Sequence, residues 1–416
     1  MSGLLKSNLQ LGDSATATQN FVLTVPAAPD GTLKLARGNA GATTQDILTV
    51  DASGNVVDVV NPKAALAGSA TQDFATANLT ASSLNGGAFA FRNKIINGGF
   101  DIWQRGTSAN LTTSYVYQSA DRWFTGINTA ALGTVAQINV GNGVGTRYSL
   151  RLQRTAGQTL ASTMHAFYVM ETADCVYKLA GIPMTLSFWA RAGSGASFST
   201  LNATLVSGQG TDQTANQLYT SVWTNATTVA TTAAALTTSW ARFAITGTTH
   251  SSTSQLGINL NVATTGTAGA NDYVEITGAQ LEVGSVATPF EVRPYGTELA
   301  LCQQYYYRVF PNSTSSILGT ASVQSTISGY GYFPFPVTMR VAPSAVDTTA
   351  TASDYLLNVA AGAVANTTVP TINARTSRNL GVVDLTFTGG STAGQAGYLG
   401  TSAGSAAGYV GWTAEL

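Results

Sequence analysis

Three tryptophan–arginine pairs with identical spacing are the residues of this chain that best suit chemistry. Each has the form Trp-x-Arg, and the pairs are Trp103 and Arg105, Trp189 and Arg191, and Trp240 and Arg242. An indole can stack on a sugar ring while the guanidinium donates hydrogen bonds to hydroxyls or a carboxylate. The same pair can instead seal a subunit or domain contact through a cation–π interaction, and both residue types are enriched in interfaces. We favour the interface and keep a glycan-binding face as the alternative.

Each pair falls in a stretch that is typical of a β-strand, and alternation along a strand assigns the two faces. In FDIWQR, Phe100 and Ile102 share one face, and Asp101 lies on the other face with the pair. In MTLSFWAR and SWARFAI, the large apolar residues alternate with the pair in the same way. We therefore expect the apolar residues to fill a core and all three Trp-Arg pairs to lie on outward, polar faces.

The composition indicates an all-β protein with several domains. The chain has 416 residues, enough for about two to four domains. Only 9% of its residues are charged, against about 25% in an ordinary globular protein, whereas Thr, Val and aromatic residues suit strands and Gly and Asn suit turns. The net charge of −1 gives no field that would gather nucleic acid. No apolar run reaches the roughly 20 residues of a membrane span, so we expect no membrane insertion.

Changes in pattern along the chain predict four regions. Residues 1–60 alternate in short bursts separated by turns, which is typical of β-hairpins and extended segments. Residues 61–93 are rich in Ala, Ser, Thr and Asn and indicate a connector or shaft. Residues 94–294 predict an antiparallel jelly-roll sandwich. Residues 295–416 begin with a short helix in GTELALCQQYYYRVF and continue as a small β-rich C-terminal domain.

Three segments resemble bacteriophage tail fibre proteins. They are RNKIINGGFDIWQRGTS, SADRWFTG and GAQLEVGSVATPFEVRPYGTELALCQQYYYR, which together cover about residues 93–308, and the final AGYVGWTAEL is also similar to such fibres. The resemblance implies a homotrimeric virion adhesin that is assembled in the host cytoplasm and acts at the host cell surface. It also implies that the N-terminal region binds other tail or baseplate proteins, and that a host surface polysaccharide is the receptor.

Within that region, MTLSFWARAGSGASFST, TTSWARFAITGT and DYVEITGAQLEVG are similar to jelly-roll carbohydrate-binding modules. Members of that family close with an Asp-rich strand that helps to hold a structural Ca²⁺. The matching strand here has Gly278 and Ala279 before Gln280. We therefore expect neither a metal site nor a cofactor.

Motifs that could support catalysis lack the context that catalysis needs. Residues 400–404 match GxSxG, but no Asp or His follows Ser402 to complete a triad. His165 and His250 have no ligand-like neighbours. A glycosidase needs only two carboxylates, and five acidic residues lie in the right region. We expect these to form structural ion pairs, for example of Asp101 or Asp121 with Arg105 or Arg122, and they are Asp101, Asp121, Asp272, Glu275 and Glu282. No enzyme activity is expected.

Aromatic residues in or beside the Gly-rich stretches of the C-terminal region are the predicted glycan contacts. They are Tyr330, Tyr332, Tyr398, Tyr409 and Trp412. The alternative is that these rings fill the trimer axis or a small core. The sequence thus predicts a tail fibre that adheres to a host glycan. A capsid-surface fibre or decoration protein and a polysaccharide depolymerase remain as alternatives.

Overall fold

In the computed structural model, the described residues are five strands between positions 9 and 59 and most of positions 91–416. Within the second range, positions 142, 143, 176, 177, 312, 314 and 403–406 are not described. The chain divides into two compact units, Met1–Leu84 and Asn85–Leu416. The predicted connector lies almost entirely outside the described residues. No described helix has the length and apolar character needed to cross a bilayer.

The first unit contains an antiparallel meander, sheet I, in which each strand pairs with its neighbours in the chain. Its strands are β1 (Leu9–Leu11), β2 (Phe21–Thr24), β3 (Leu33–Asn39), β4 (Ala42–Val50) and β5 (Val56–Val59). Strands β2 to β5 coincide with the alternating stretches NFVLTV, GTLKLARG and DILTVDASGNVVDVV. The strands expected in these stretches are therefore confirmed.

The second unit begins with two antiparallel sheets. Sheet II has the spatial order β13-β12-β15-β10-β7, and sheet III has the order β14-β11-β16-β9-β8-β6. The strands are β6 (Ser108–Leu111), β7 (Phe124–Ile127), β8 (Gly133–Asn139), β9 (Tyr148–Arg154), β10 (Ser162–Val169), β11 (Pro183–Ala192), β12 (Thr200–Gly208), β13 (Thr227–Ala235), β14 (Ala241–Thr248), β15 (Gln255–Thr264) and β16 (Tyr273–Val283). Two short helices, α1 (Thr172–Cys175) and α2 (Ala215–Tyr219), lie in the connections.

Alternating apolar residues of sheets II and III form one shared core. Met184, Leu186 and Phe188 of β11 are fully buried, and Ile258 and Leu260 of β15 are at most 1% exposed. These side chains belong to a single cluster. Burying one such side chain contributes about 1.5–3 kcal/mol, so this cluster is what holds the sandwich together. The predicted all-β fold with an antiparallel sandwich is confirmed.

The rest of the second unit carries a second core. Sheet IV has the order β17-β26-β20, and sheet V has the order β22-β21-β25-β18-β19-β24-β23. The elements are α3 (Tyr295–Gln303), β17 (Tyr306–Val309), β18 (Ile317–Val323), β19 (Ser328–Pro334), β20 (Ala345–Thr348), a 3-10 turn (Ala352–Asp354), β21 (Tyr355–Val359), β22 (Gly362–Ala365), β23 (Thr371–Ile372), β24 (Leu380–Thr386), β25 (Ala396–Thr401) and β26 (Val410–Thr413). The predicted short helix is confirmed as α3, and the aromatic run after it is strand β17.

The segment FDIWQR is not a strand, so the faces assigned to it by alternation are wrong. Asn97 and Phe100 have positive φ angles of 60° and 56°, which breaks the two-residue period. The side chain of buried Asn97 accepts from the backbone N–H of Ile102 at 3.0 Å and donates to its carbonyl at 2.8 Å. Phe100, Ile102 and Trp103 are consequently all buried.

Candidate functional site

A cleft of about 290 Å³ lies on the outer face of sheet II. Its floor consists of outward-facing residues of three adjacent strands: His165 and Phe167 of β10, Asn259 of β15, and Thr204 and Val206 of β12. The volume is at the lower end of the range of about 300–1,000 Å³ for ligand pockets. We call this space the sheet II cleft. Its volume is enough for a short segment of a ligand.

Aromatic rings dominate one end of the sheet II cleft. The rings of His165 and Phe167 are stacked at 5.1 Å with an interplanar angle of 5°. Tyr219 meets both of them edge-on, at 5.8 and 5.9 Å, and Tyr115 stacks on Tyr219 at 4.0 Å. Phe167 is buried, so the surface that could stack on a sugar comes from the half-buried rings of His165 and Tyr219, which the other rings hold in a fixed orientation.

The wall of the cleft is a connection between β12 and β13 that hydrogen bonds hold in place. Thr214 and Gln217 form a capping box at the start of α2. The indole Nε1 of Trp223 donates to the carbonyl of Thr214 at 3.0 Å. Buried Gln255 on β15 accepts from the backbone N–H of Gln213 at 2.8 Å. A preformed wall reduces the entropy that is lost when a ligand binds.

Two glycines allow this wall to contact the sheet backbone directly. A Cβ atom at Gly257 would lie 2.5 Å from the Leu218 side chain and 2.9 Å from the Trp223 ring. A Cβ atom at Gly208 would lie 2.7 Å from Trp223. Packed interiors leave no room for such overlaps. The wall can therefore pack in this position only because residues 208 of β12 and 257 of β15 are glycine.

The sheet II cleft is electrically neutral. Among the described residues that line it, none is acidic and none is basic except His165. Burial lowers the pKa of His165 from its ordinary 6.5, and its Nδ1 lies 3.1 Å from Asn259 Oδ1. Because Asn259 Oδ1 can only accept, the neutral imidazole donates to it through Nδ1–H and leaves Nε2 as an acceptor, and Thr204 and Thr228 add hydroxyls. The cleft therefore matches a polar, uncharged ligand with an apolar face. Sequence reasoning considers His165 only as a metal ligand and misses this site.

The second and third Trp-Arg pairs lie side by side on the outer face of sheet III. In the antiparallel pairing of β11 with β14, Trp189 stands opposite Arg242. The Arg191 guanidinium lies 4.8 Å from the centre of the Trp240 ring. The outward orientation predicted for these two pairs is confirmed. However, each tryptophan neighbours the arginine of the other pair, so the cation–π contact links two strands.

A row of side chains crosses sheet III at this point. Glu275 of β16 is fully buried and accepts from Arg151 Nε at 2.8 Å and from Arg191 Nε at 2.6 Å. Tyr273 lies 4.0 Å from the Arg151 guanidinium, and Trp240 flanks Arg191 on the other side. We call these five residues, Trp240, Arg191, Glu275, Arg151 and Tyr273, the arginine row. It holds two cations and one anion.

The first Trp-Arg pair has a different role, because it joins the sandwich to the C-terminal part of the chain. The Arg105 guanidinium lies 3.5 Å from the Tyr306 ring and is ion-paired with Asp121 at 3.8 Å and Glu415 at 3.5 Å. The expected contact of Arg105 with Asp121 is thus confirmed. Trp103 is only 9% exposed and belongs to the sandwich core, so the outward orientation expected for it is wrong.

Three of the five predicted glycan contacts share the outer face of sheet V. Tyr332 of β19 and Tyr398 of β25 both stand opposite Thr320 of β18. Tyr330 lies two residues before Tyr332 on the same face, 4.9 Å from the guanidinium of Arg375. Tyr398 is 39% exposed. These tyrosines share one face of the sheet, and they remain predicted glycan contacts.

The other two predicted contacts lie elsewhere. Trp412 of β26 is fully buried, with its ring 4.7 Å from that of Phe333. Its expected role as a glycan contact is therefore corrected to one in the second core, which was the alternative. Tyr409 packs against the Arg308 guanidinium at 3.7 Å and donates to Asp347 Oδ1 at 3.2 Å. It is thus engaged in a contact within the chain.

The carboxylates considered for hydrolysis are spread over separate structural contacts. Besides Asp121 and Glu275, Asp272 accepts from Arg154 Nη1 at 2.9 Å, and Glu282 accepts from a threonine hydroxyl at 2.6 Å. Asp101 borders a cavity of about 20 Å³, which has room for about one water molecule. Burial raises the pKa of Asp101. In the described part of the chain, no three His, Cys, Asp or Glu residues are grouped so as to hold a metal ion.

Comparisons with known proteins give no family. No family model and no curated protein matches the chain. The enzymatically active domain of tailspike protein 4 of bacteriophage CBA120 matches with 14% identity and a TM-score of 0.30, over 46% of this chain and 22% of that one. TmCBM61 in complex with β-1,4-galactotriose matches with 17% identity and a TM-score of 0.28, over 46% and 99%. The C-terminal family 22 carbohydrate-binding module of Clostridium thermocellum Xyn10B matches with 17% identity and a TM-score of 0.27, over 44% and 98%. TM-scores this low carry no argument about the fold. The evidence for the sandwich is the strand pairing described above.

Proposed function

We propose that this protein is a subunit of a bacteriophage tail fibre and that it binds a host surface glycan through the sheet II cleft. The observation that supports glycan binding is the cleft itself. It combines oriented aromatic rings with neutral donors and acceptors on a preformed wall. A sugar presents the complementary arrangement, since it has apolar C–H faces and a rim of hydroxyls. The assignment to a tail fibre rests on the sequence resemblance of residues 93–308.

Binding without hydrolysis is part of this proposal. A glycosidase holds two carboxyl groups roughly 5 to 9.5 Å apart on either side of the bond that it cleaves. The described residues that line the sheet II cleft include no Asp and no Glu. This supports an adhesin over a depolymerase. Release of reducing ends from a polysaccharide by the purified protein would overturn this part.

The proposal also includes a homotrimer on the virion, attached to other tail proteins through residues 1–60. Three weak sites on one rigid assembly gain an avidity of about 10²–10⁴ over a single site. A shallow cleft of low individual affinity is therefore sufficient for firm attachment. Antibodies against residues 94–294 would label tails on intact virions, whereas labelling of capsids would favour the alternative of a capsid-surface fibre.

Removal of the Tyr219 ring tests the binding site. On an array of neutral bacterial oligosaccharides, Tyr219→Ala should bind about tenfold more weakly than the unmodified chain, because an aromatic stacking contact of about 1 kcal/mol and its buried area are lost. Titration calorimetry with the oligosaccharide that binds best gives the affinities.

The competing prediction of a site on sheet V is tested by Tyr398→Ala, which removes an exposed tyrosine from the outer face of that sheet. We expect it to bind as the unmodified chain does. If Tyr398→Ala loses binding and Tyr219→Ala keeps it, the site belongs on sheet V. If the unmodified chain binds no neutral oligosaccharide on the array, the proposed role of the cleft is wrong.

A further inference from the structure

We propose that the arginine row on sheet III is a second binding site and that its ligand is a sugar bearing an oxyanion, either a carboxylate or a phosphate. Sheets II and III enclose one core between them. The arginine row therefore lies on the opposite side of the sandwich from the sheet II cleft. Its ligand differs in charge from the neutral ligand proposed for the cleft.

The strand register fixes the geometry of the row. Arg191 of β11 and Arg151 of β9 both stand opposite Glu275 of β16. Neighbouring strands are about 4.8 Å apart, so the two arginine backbones are about 10 Å apart and both side chains converge on one carboxylate. The Nε atom of Arg191 is used by Glu275, and within the described residues its two Nη atoms have no hydrogen-bond partner. These are the donors available to an anion.

The charges of this face do not cancel. Glu275 neutralises one guanidinium, and its carboxylate has no exposed surface, whereas the Arg151 and Arg191 side chains are 23% and 29% exposed. Arg242, on the neighbouring strand, donates to the hydroxyl of Ser187 and to a backbone carbonyl, and neither of these partners carries a charge. Glu282 of β16 lies on the same face, where it is buried and accepts from the Thr288 hydroxyl. Three guanidinium groups against two carboxylates leave an excess of positive charge in a chain with only 19 Lys and Arg residues.

Aromatic rings orient the guanidinium groups. Arg191 lies against Trp240 at 4.8 Å, and Arg151 lies against Tyr273 at 4.0 Å. Both rings are half-buried, so part of each ring surface is open beside the donors. A planar guanidinium held in this way presents its terminal N–H groups as a fork that matches carboxylate or phosphate oxygens. A sugar ring attached to that oxyanion can lie on the adjacent aromatic surface.

An arginine with a purely structural role in the same sandwich looks different. Arg154, also on β9, is fully buried and donates to six oxygen atoms through its two Nη atoms. Four of these are backbone carbonyl oxygens. Its hydrogen-bonding capacity at the Nη atoms is therefore used within the chain, and no donor there remains for a ligand. Arg191 keeps both the exposure and the unpaired donors that Arg154 lacks.

Three polymers with different charges provide the test. Oligogalacturonate carries carboxylates, its methyl ester is the same polymer without the charge, and dextran phosphate carries phosphates on sugar rings. We expect at least one of the two anionic polymers to bind the full chain at least tenfold more tightly than the neutral ester. Comparison of the two anionic polymers identifies the oxyanion. Raising the salt concentration should weaken the binding, because partly exposed charges are screened.

Arg191→Gln should reduce binding of the anionic polymer by about tenfold or more, because hydrogen bonds to a charged group are lost. Arg375→Gln, which removes an exposed arginine beside an aromatic ring on sheet V, is the matched control and should leave the affinity unchanged. If Arg191→Gln does not fold, Trp240→Leu takes its place, with a reduction of several-fold expected.

Three results would overturn the proposal. They are equal binding of charged and neutral polymers, unchanged affinity in Arg191→Gln, and a change of oligomer mass in Arg191→Gln by light scattering. The last would identify the face as a contact between copies of the chain. The two sites are independent if Arg191→Gln loses binding of the anionic polymer but keeps binding of the neutral glycan. Tyr219→Ala should then lose binding of the neutral glycan and keep binding of the anionic polymer.

Discussion

The outer faces of sheets II and III differ sharply although the two sheets share one core. On sheet II, the outward positions carry His165, Phe167 and Asn259, and a folded connection covers part of the face. On sheet III, the outward positions carry Arg191 and Glu275, and the Arg191 side chain is 29% exposed. The inward positions of both sheets are alike, since they hold interchangeable apolar residues of one cluster. Alternation thus separates the residues that determine the fold from the residues that determine what each face can bind.

The two faces also use different means to satisfy buried polar groups. Sheet II pairs neutral groups, such as His165 with Asn259 at 3.1 Å. Sheet III buries a full charge, Glu275, between two guanidinium groups. Neutral pairs lose little when one partner changes, whereas an unpaired buried charge is costly. Substitutions on sheet III should therefore affect stability more than equivalent substitutions on sheet II.

The largest effect is expected for Glu275→Gln. It removes the only anion between Arg151 and Arg191 and leaves two cations facing each other. Breaking a buried ion pair costs about 3–5 kcal/mol, and we expect the lower end of that range because both arginines keep some exposure. Urea denaturation measures the change in the free energy of unfolding.

On sheet II, His165→Gln is the counterpart at neutral pH and should cost about 1 kcal/mol, the typical value for one neutral hydrogen bond. Equal losses in the two variants would contradict the distinction drawn between the faces. On sheet III, Arg242→Gln is the control, since its guanidinium has only uncharged partners and a change within about 1 kcal/mol is expected.

The next effect concerns the wall of the sheet II cleft. In Gly257→Ala, the added methyl group would overlap Leu218 and Trp223, and overpacking of this kind costs about 1–3 kcal/mol. The connection should move away from the sheet, with a shift in Trp fluorescence and loss of neutral-glycan binding. Binding of the anionic polymer on sheet III should persist.

Gly269→Ala is the matched control, because a Cβ atom there meets no atom within 4 Å. It should change neither stability nor binding. If Gly257→Ala retains full affinity for the neutral glycan, the position of the wall does not matter for binding.

The sequence predicts the strands better than the sites, for a physical reason. In β11 and β14, alternation is a local property of the chain, so the outward positions of Trp189 and Arg242 can be predicted. Around Asn97 and Phe100, positive φ angles and side-chain-to-backbone hydrogen bonds interrupt the alternation, and no simple period reveals them. The sheet II cleft depends on a distant connection that packs on Gly257. Such a contact between separate strands leaves no periodic signal in the sequence.

The smallest effect, and the finest test of the comparison, is the response to pH. Burial lowers the pKa of His165 from its ordinary 6.5, so below about pH 6.5 the unfolded chain binds a proton more readily than the folded chain. The stability contributed by the neutral imidazole is complete above that pH and is lost as the pH falls towards the folded pKa. The loss is at most about 1.4 kcal/mol per pH unit. Asp121 acts in the opposite sense, because burial raises its pKa from 3.8 to about 6 and protonation between about pH 6 and 4 favours the folded chain.

The stability difference between the unmodified chain and His165→Gln, measured by urea denaturation, should therefore shrink as the pH is lowered from about 7.5 to about 5. Asp121→Asn should remove the stabilisation that protonation of Asp121 gives the folded chain below about pH 6. Neutral-glycan binding on sheet II should weaken as the pH falls through the lowered pKa of His165, because a protonated imidazole has no acceptor. Binding of the anionic polymer on sheet III involves no histidine and should persist. If binding of the neutral glycan and binding of the anionic polymer declined together, the two ligands would share one site, or the chain would be unfolding.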